Sequence, residues 1–280
     1  VSRVAIATCA GEDVDPDSRP LLDALAAQDV VGELARWDDP QVDWDRFDLV
    51  VIRSTWDYAP RRTEYLSWAK SVRRLANPYA AVAFSSDKHY LGELAARGQR
   101  VVPSFFCDVG VAPQFPDADF VVKPSVGAGS LDADRYGRDE VERATRHVAA
   151  LHERGRDVLI QPYVSSVDEQ GERALIFIDG AFSHAMTKAA MLNVVALDRR
   201  ALYRREQMSL AEAEPDAVAL AGAVLEDFGF SGLLYARVDL VRVAEGWAIM
   251  ELELVEPSLF LTYYRDAATA LAAAIARRLT

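Results

Sequence analysis

Residues 233–257, LLYARVDLVRVAEGWAIMELELVEP, carry two alternating apolar runs around Ala-Glu-Gly, and as a hairpin they match in very few registers. With a three-residue loop at 244–246, Val243 meets Trp247 and Val241 meets Ile249. Leu240 and Val238 then meet Met250 and Leu252 on an apolar face, while Asp239 lies opposite Glu251 and Arg237 opposite Glu253. A two-residue loop shifts the pairing by one and sets each acid against an apolar side chain. The apolar match therefore selects the three-residue loop or an equivalent bulge. Any fold of this chain must accept three carboxylates converging on one strand face. Directly opposed carboxylates cost roughly 0.2–1 kcal/mol unless a cation lies between them, so neutralising Glu251 without ligand is expected to be neutral or mildly stabilising. A solvated acidic face with Arg237 as partner is the plain explanation. A magnesium site is the sharper one, because Mg²⁺ is held by a few carboxylates together with substrate phosphates.

The second explanation needs phosphate-handling residues elsewhere, and the chain has them. Lys123 ends the strand DFVVKPS (119–125), followed by the small-residue loop VGAGS (126–130) that brings backbone N–H groups close to a ligand. Neither a P-loop nor a GxGxxG pattern is present. Lys88, in SDKHYL, is a second candidate. A net charge of −12 and a pI near 4.9 argue against nucleic acid or an anionic membrane as partner, and require locally concentrated bases for any phosphate. The two cysteines, Cys9 and Cys107, match no zinc or redox spacing and read as ordinary thiols of a reducing cytosol. No apolar run reaches membrane-spanning length, so a soluble, cytoplasmic protein is expected.

The order of periodicities points to a mixed architecture. RVAIATC (3–9), VVGELARW (30–37) and FDLVVIRS (47–54) read as strands alternating with helices at 17–28 and 61–76, which implies a small parallel sheet. Ligands bind beyond the carboxyl ends of such strands, here TCAGED and RSTWDY. Then come a helix over 85–98, a strand VVPSFF (101–106), the strand bearing Lys123, a helix over 139–155 and a strand DVLIQPYV (157–164). RALIFIDGAFSHAMTK (173–188) reads as a hairpin turning at Asp179-Gly180. An irregular stretch (189–212), a helix over 215–229, the acidic hairpin and an Ala-rich helix over 266–279 complete the chain.

DK on a helix, VVKPSVGAGS, LIQPYV, a hairpin ending in Lys188, then RVDLV…MELELVEPS: this order resembles the ATP-grasp superfamily of carboxylate–amine ligases. VIRSTWDY, LIFIDGAFSHAMTKAA and MELELVEPSLFL are similar, more narrowly, to the cyclo-ligases that form D-cycloserine from O-ureido-D-serine. The resemblance implies an ATP-grasp fold, α/β and α+β. A parallel-sheet N-terminal subdomain (1–84) would be followed by a central subdomain with the glycine-rich loop (85–160) and a C-terminal one with the metal-binding hairpin (161–280). The last two would clasp ATP.

By the same resemblance, Lys88 and Lys123 would hold ATP phosphates, with the loop of Ser125, Gly127, Gly129 and Ser130 over them. Gln161, Tyr163 and Val164 would line the adenine pocket, and Glu172 would reach the ribose with Arg173 beside it. Lys188 would face the γ-phosphate and Arg237 would steady the acyl phosphate, which with Lys123 makes them the catalytic candidates. Asp239, Glu251 and Glu253 would hold Mg²⁺, with Mn²⁺ as an alternative; the superfamily usually has Asn where this chain has Glu253. The implied reaction phosphorylates a small amino acid's carboxylate, after which a nitrogen of the same molecule closes a ring and CO₂ and ammonia are released.

For the substrate, Arg53, Thr55, Trp56 and Asp57 sit at a strand's carboxyl end. Arg53 suits a carboxylate, Asp57 or Glu256 suits an ammonium, and Ser258 lies beside them. His89 and His184 read as structural, and Cys9 lacks a base that would make it a nucleophile. Intermolecular amino-acid or dipeptide ligation and a non-catalytic nucleotide-binding role are the alternatives, and self-association is left open.

Overall fold

The computed structural model describes residues 1–10, 15–189 and 208–280. The first sheet is parallel, in the order β2 (Val31–Arg36), β1 (Arg3–Thr8), β3 (Leu49–Ser54). Every residue of β3 is buried, as its unbroken apolar run requires. Helix α1 (Ser18–Ala26) packs Leu21 and Leu25 into the core. The expected helix over 61–76 stops early, as α2 (Arg62–Ser71), because the following residues complete the open edge of β3. The Val50 N–H donates to the Arg74 carbonyl and the Ala76 N–H to the Val50 carbonyl. Backbone pairing at a buried edge outweighs one more helical turn.

Helices α3 (Tyr79–Ser85) and α4 (Tyr90–Ala96) replace the single helix expected over 85–98, so Lys88 sits in the turn between them. The expected strand over 101–106 also divides. Val102 donates to the Ile249 carbonyl, whereas only β4 (Phe105–Cys107) joins the second sheet. Pro103, which has no N–H to give, lies between the two pairings. That antiparallel sheet runs β4, β7 (Val158–Pro162), β5 (Phe120–Pro124), β6 (Asp134–Tyr136). Helix α5 (Val141–His152) adds Ala144, Val148 and Leu151 to a core of its own with Phe120, Val122 and Ile160.

The short α6 (Ser166–Gln170) leads into the third sheet, ordered β10 (Met208–Ala211), β9 (Ala181–Lys188), β8 (Glu172–Ile178), β11 (Tyr235–Val243), β12 (Gly246–Glu253). Asp179 and Gly180, both with positive φ, make the expected turn between β8 and β9. Helices α7 (Pro215–Asp227) and α8 (Arg265–Leu279) flank this sheet. Residues 190–207, most of the expected irregular stretch, and 11–14, which include the end of TCAGED, lie outside the described residues.

The acidic hairpin corrects one detail of its expected register. Arg237 pairs with Glu253, Val238 with Leu252 and Asp239 with Glu251, as the apolar match requires. Nearer the turn the partners are Leu240–Ile249, Val241–Ala248 and Val243–Gly246, so the turn is tighter than three residues. A bulge between the two registers leaves Met250 unpaired. It places Ile249 and Leu252 in one core while Met250 joins Glu251 on the other side.

Other packing joins segments far apart in the chain. Tyr90, Leu91 and Leu94 of α4 pack with Leu175, Val238 and Leu252 of the third sheet. The buried Asn77 amide donates to the carbonyls of Tyr235 and Leu254 and accepts from the Leu234 N–H, tying the first sheet's region to the third. Among the described residues no helix is long and apolar enough to cross a membrane.

Candidate active site

The three sheets enclose a cavity of about 600 Å³, the size of a small-ligand site. Its wall is charged where the third sheet faces it. Lys188 and Glu172 pair directly across β8 and β9, their side chains 3.0 Å apart. Lys188 Nζ also meets Asp239 Oδ2 at 2.7 Å. Arg237 grips Asp239 (Nε to Oδ1, 2.9 Å) and Glu253 (Nη2 to Oε1, 2.6 Å). Lys88 Nζ lies 2.8 Å from Glu251 and donates to the Gly127 carbonyl at 3.1 Å. This local knot of bases is what an acidic chain needs in order to receive a polyphosphate.

The proton affinities follow from these pairs. Burial opposes the charge on Asp239, but Arg237 and Lys188 hold its carboxyl below the usual range. Burial likewise opposes Glu251, which Lys88 and Lys123 keep low. Burial would also discharge Lys88, yet Glu251 holds it above the usual ammonium value. Burial wins at Lys123 and lowers it, because no carboxylate pairs with it among the described residues. Burial also wins at Glu253, pushed up to about 7 with Arg237 opposing. Glu256 goes further, to about 8, through burial and the nearby Glu253. Perturbed carboxyls gathered in one cleft are a mark of functional sites.

The glycine-rich loop reaches this cavity through Gly127, Gly129 and Ser130. Gly129 has φ 61° and Ser130 φ 56°, and Arg156 anchors the loop by donating to the Val126 carbonyl at 2.6 Å. Gly171 is also obligatory: its φ is 68°, and a Cβ there would collide with the Lys188 carbonyl.

Of the residues singled out from sequence, Trp56, Lys88, Lys123, the loop residues above, Gln161, Tyr163 and Val164 line the cavity. So do Glu172, Lys188, Arg237, Glu251, Glu253, Glu256 and Ser258. Asp239 stands directly behind Lys188 and Arg237.

Five residues are turned to other tasks. Arg53, 1% exposed, donates to the Pro257 carbonyl and lies beside Asp15 and Asp17 instead of in the wall. Thr55 is bonded to the Tyr65 hydroxyl, and Asp57 accepts from the Trp37 indole. Arg173 points to Thr187 and the Glu212 carbonyl, and Ser125 is buried, with its carbonyl accepting from the Lys88 N–H. A strand's carboxyl end does not say which side chains turn outward. His184 bonds the Leu259 carbonyl, a structural role.

The wall also contains residues that sequence reading passed over. Asp15, Asp17 and Tyr58 come from the first sheet's loops, and Val121 and Met250 add apolar surface. Met250 was assigned to the core by strict alternation. Asp15 gave no signal beyond lying past the end of β1, and Asp17 reads in sequence only as a cap of the following helix.

The carboxylates offer only oxygen donors, which suits a hard cation such as Mg²⁺. Among the described residues no three acidic, histidine or cysteine side chains are drawn round one point. Lys88, Lys188 and Arg237 hold the acids apart in pairs. The donor chemistry fits the ion, with those bases balancing the acids in its place.

A three-sheet enclosure of this kind, with the base-rich cavity between its sheets, is that of the ATP-grasp ligases. D-alanine–D-alanine ligase from Bacillus anthracis, in complex with ATP, superposes with a TM-score of 0.67 at 13% identity over all of this chain and 97% of its own. Residues 4–77 match the family model described as the N-terminal domain of D-cycloserine synthetase DcsG. The cycloserine biosynthesis protein DcsG of Streptomyces lavendulae is 41% identical over 95% of both chains. The crystal structure of D-cycloserine synthetase DcsG superposes over the whole of both chains with a TM-score of 0.89 and 38% identity. The chain belongs to the D-cycloserine synthetase family of ATP-grasp ligases.

Proposed function

We propose that the chain closes O-ureido-D-serine to D-cycloserine at the expense of ATP. The carrying observation is one cavity lined by Lys88, Lys123, Lys188 and Arg237, by the apolar Val121, Val164 and Met250, and by Asp15 and Glu256. Val164, Val167 and Met250 pack together and offer a base its apolar seat, with Gln161 and Tyr163 beside them. Glu172, which also lines the cavity, accepts a ribose hydroxyl in this reading. Lys88, Lys123 and Lys188 take the phosphates, and Arg237 stabilises the charge that develops on the acyl phosphate. Asp239, Glu251 and Glu253 would hold a divalent ion, Mg²⁺ or Mn²⁺, which supplies charge neutralisation between phosphate oxygens when bound.

The substrate carboxylate displaces ADP from the γ-phosphorus to give an acyl phosphate. The oxygen-linked nitrogen then attacks the acyl carbon, closing the five-membered ring and expelling phosphate. One water removes the ureido carbon as CO₂ with ammonia, so each turnover consumes one ATP and one water. Positioning and exclusion of bulk water do most of the work, because an exposed acyl phosphate hydrolyses; the loop around Gly127 and Gly129 is placed to cover it. Incubation with Mg-ATP and O-ureido-D-serine should release ADP and give a product lighter than the substrate by mass spectrometry. A product heavier than the substrate would establish intermolecular ligation instead, and absence of ADP release would remove the ligase assignment.

A further inference from the structure

The acids of the cavity wall can be sorted by what already holds them. Glu172 pairs with Lys188, Glu251 with Lys88 and Glu253 with Arg237. Asp17 accepts from the backbone N–H groups of Leu259 and Thr262. Two carboxylates remain with unmet capacity. Asp15 is 3% exposed; its Oδ1 accepts from the Asp17 N–H, while its Oδ2 has no hydrogen-bond partner. Arg53 Nη2 stands 3.7 Å off, too far to bond, and is shared at the same distance with Asp17. One guanidinium thus faces two carboxylates, and burial pushes the Asp15 carboxyl above its usual range despite Arg53. Glu256 lies in the same wall, and its side chain has no hydrogen-bond or ion-pair partner among the described residues.

A buried carboxylate oxygen without a donor, as at Asp15 Oδ2, is costly, and a ligand that brings the donor recovers that cost on binding. Glu256 is only half-buried, and the two side chains differ in their surroundings. Asp15 is set back among Arg53 and Asp17. Glu256 feels Glu253, Lys88, Glu251 and Arg237, so it adjoins the phosphate-facing groups. A fitting ligand has one carboxylate, a cationic nitrogen directed away from the phosphates, and a second N–H donor near the reacting carbon. Resting on the function proposed above, we propose that Asp15 binds the α-ammonium of the amino-acid substrate and that Glu256 binds its ureido N–H. Arg53, which resembled a carboxylate receptor, becomes the positioning residue that keeps Asp15 aligned.

Calorimetric titration of the nucleotide-loaded protein with three ligands tests both halves. The ligands are O-ureido-D-serine, O-methyl-D-serine, which lacks the ureido group, and 3-(ureidooxy)propanoate, which lacks the ammonium. Asp15→Asn should weaken the first two by roughly tenfold or more and leave the third unchanged, since a charge-assisted bond is lost. Glu256→Gln should weaken the first and third and spare O-methyl-D-serine. Asp15→Ser, which keeps an acceptor for the Asp17 N–H, replaces Asp15→Asn if that variant does not fold. Equal loss for all three ligands, or no loss for any, overturns the assignment. Normal nucleotide binding with no binding of O-ureido-D-serine to the unaltered protein would instead sink the proposed reaction, so the two failures are told apart.

Discussion

Lys123 and Lys188 show how differently two lysines of one cavity are held. Lys188 has two carboxylates within 3.0 Å, whereas Lys123 has none among the described residues and is pushed toward its neutral form by burial. A buried charge without a partner opposes folding and awaits a ligand. Lys123→Met should therefore leave the ligand-free protein as stable as before, or up to about 1 kcal/mol more stable, while ATP affinity falls at least roughly tenfold. Urea unfolding beside calorimetric ATP titration checks both. A clear loss of ligand-free stability would mean that Lys123 has a structural partner.

At the scale of the element, the hairpin of β11 and β12 reverses an expectation. Opposed Asp239 and Glu251 implied relief on neutralising Glu251. The tertiary structure instead lays Lys88, from the turn before α4, against Glu251 at 2.8 Å. Glu251→Gln would strand that ammonium in a largely buried place, so the ligand-free protein should lose roughly 1–3 kcal/mol. The unaltered protein should gain about 2.7 kcal/mol at a hundredfold excess of Mg-ATP over Kd. The variant should gain far less. Melting curves with and without Mg-ATP separate this from a solvated acidic face, for which the ligand-induced shift would survive intact. The bulge at Met250 teaches the same lesson: strict alternation placed the acids, but one unpaired residue moved an apolar side chain into the cavity wall.

For the whole molecule, the cavity exists only because three sheets are held in one arrangement, and Asn77 is one of the ties. Its amide serves three buried backbone groups, at Leu234, Tyr235 and Leu254. Asn77→Ala should cost about 2–4 kcal/mol by leaving them unmet. Because Leu254 leads directly to Glu256, the substrate should weaken more than ATP, whose proposed seat is on the second and third sheets. Denaturant midpoints and separate titrations of the two ligands test this, and equal weakening of both would deny Asn77 that local role.

Local rules carried far in this chain. Alternation and turn chemistry placed β8, β9, β11 and β12, and the order of short motifs led to the ATP-grasp fold. Lys123 and the three acids were legible because their residue types are unusual on strands and beside small-residue loops, whereas Lys88, Lys188 and the role of Arg237 came through the resemblance to the ATP-grasp superfamily. The hairpin register already set Arg237 opposite Glu253 and Asp239 opposite Glu251; only the tertiary structure brought Lys88 to Glu251 and Lys188 to Asp239. It turned Arg53 inward to Pro257, removed Thr55 and Asp57 from the wall, and brought in Asp15 from a loop with no motif. The reason is physical. Periodicity reports which face of an element is apolar, a property of neighbours along the chain. Pairing between charges such as Lys88 and Glu251, 163 positions apart (251 − 88), depends on how whole sheets pack.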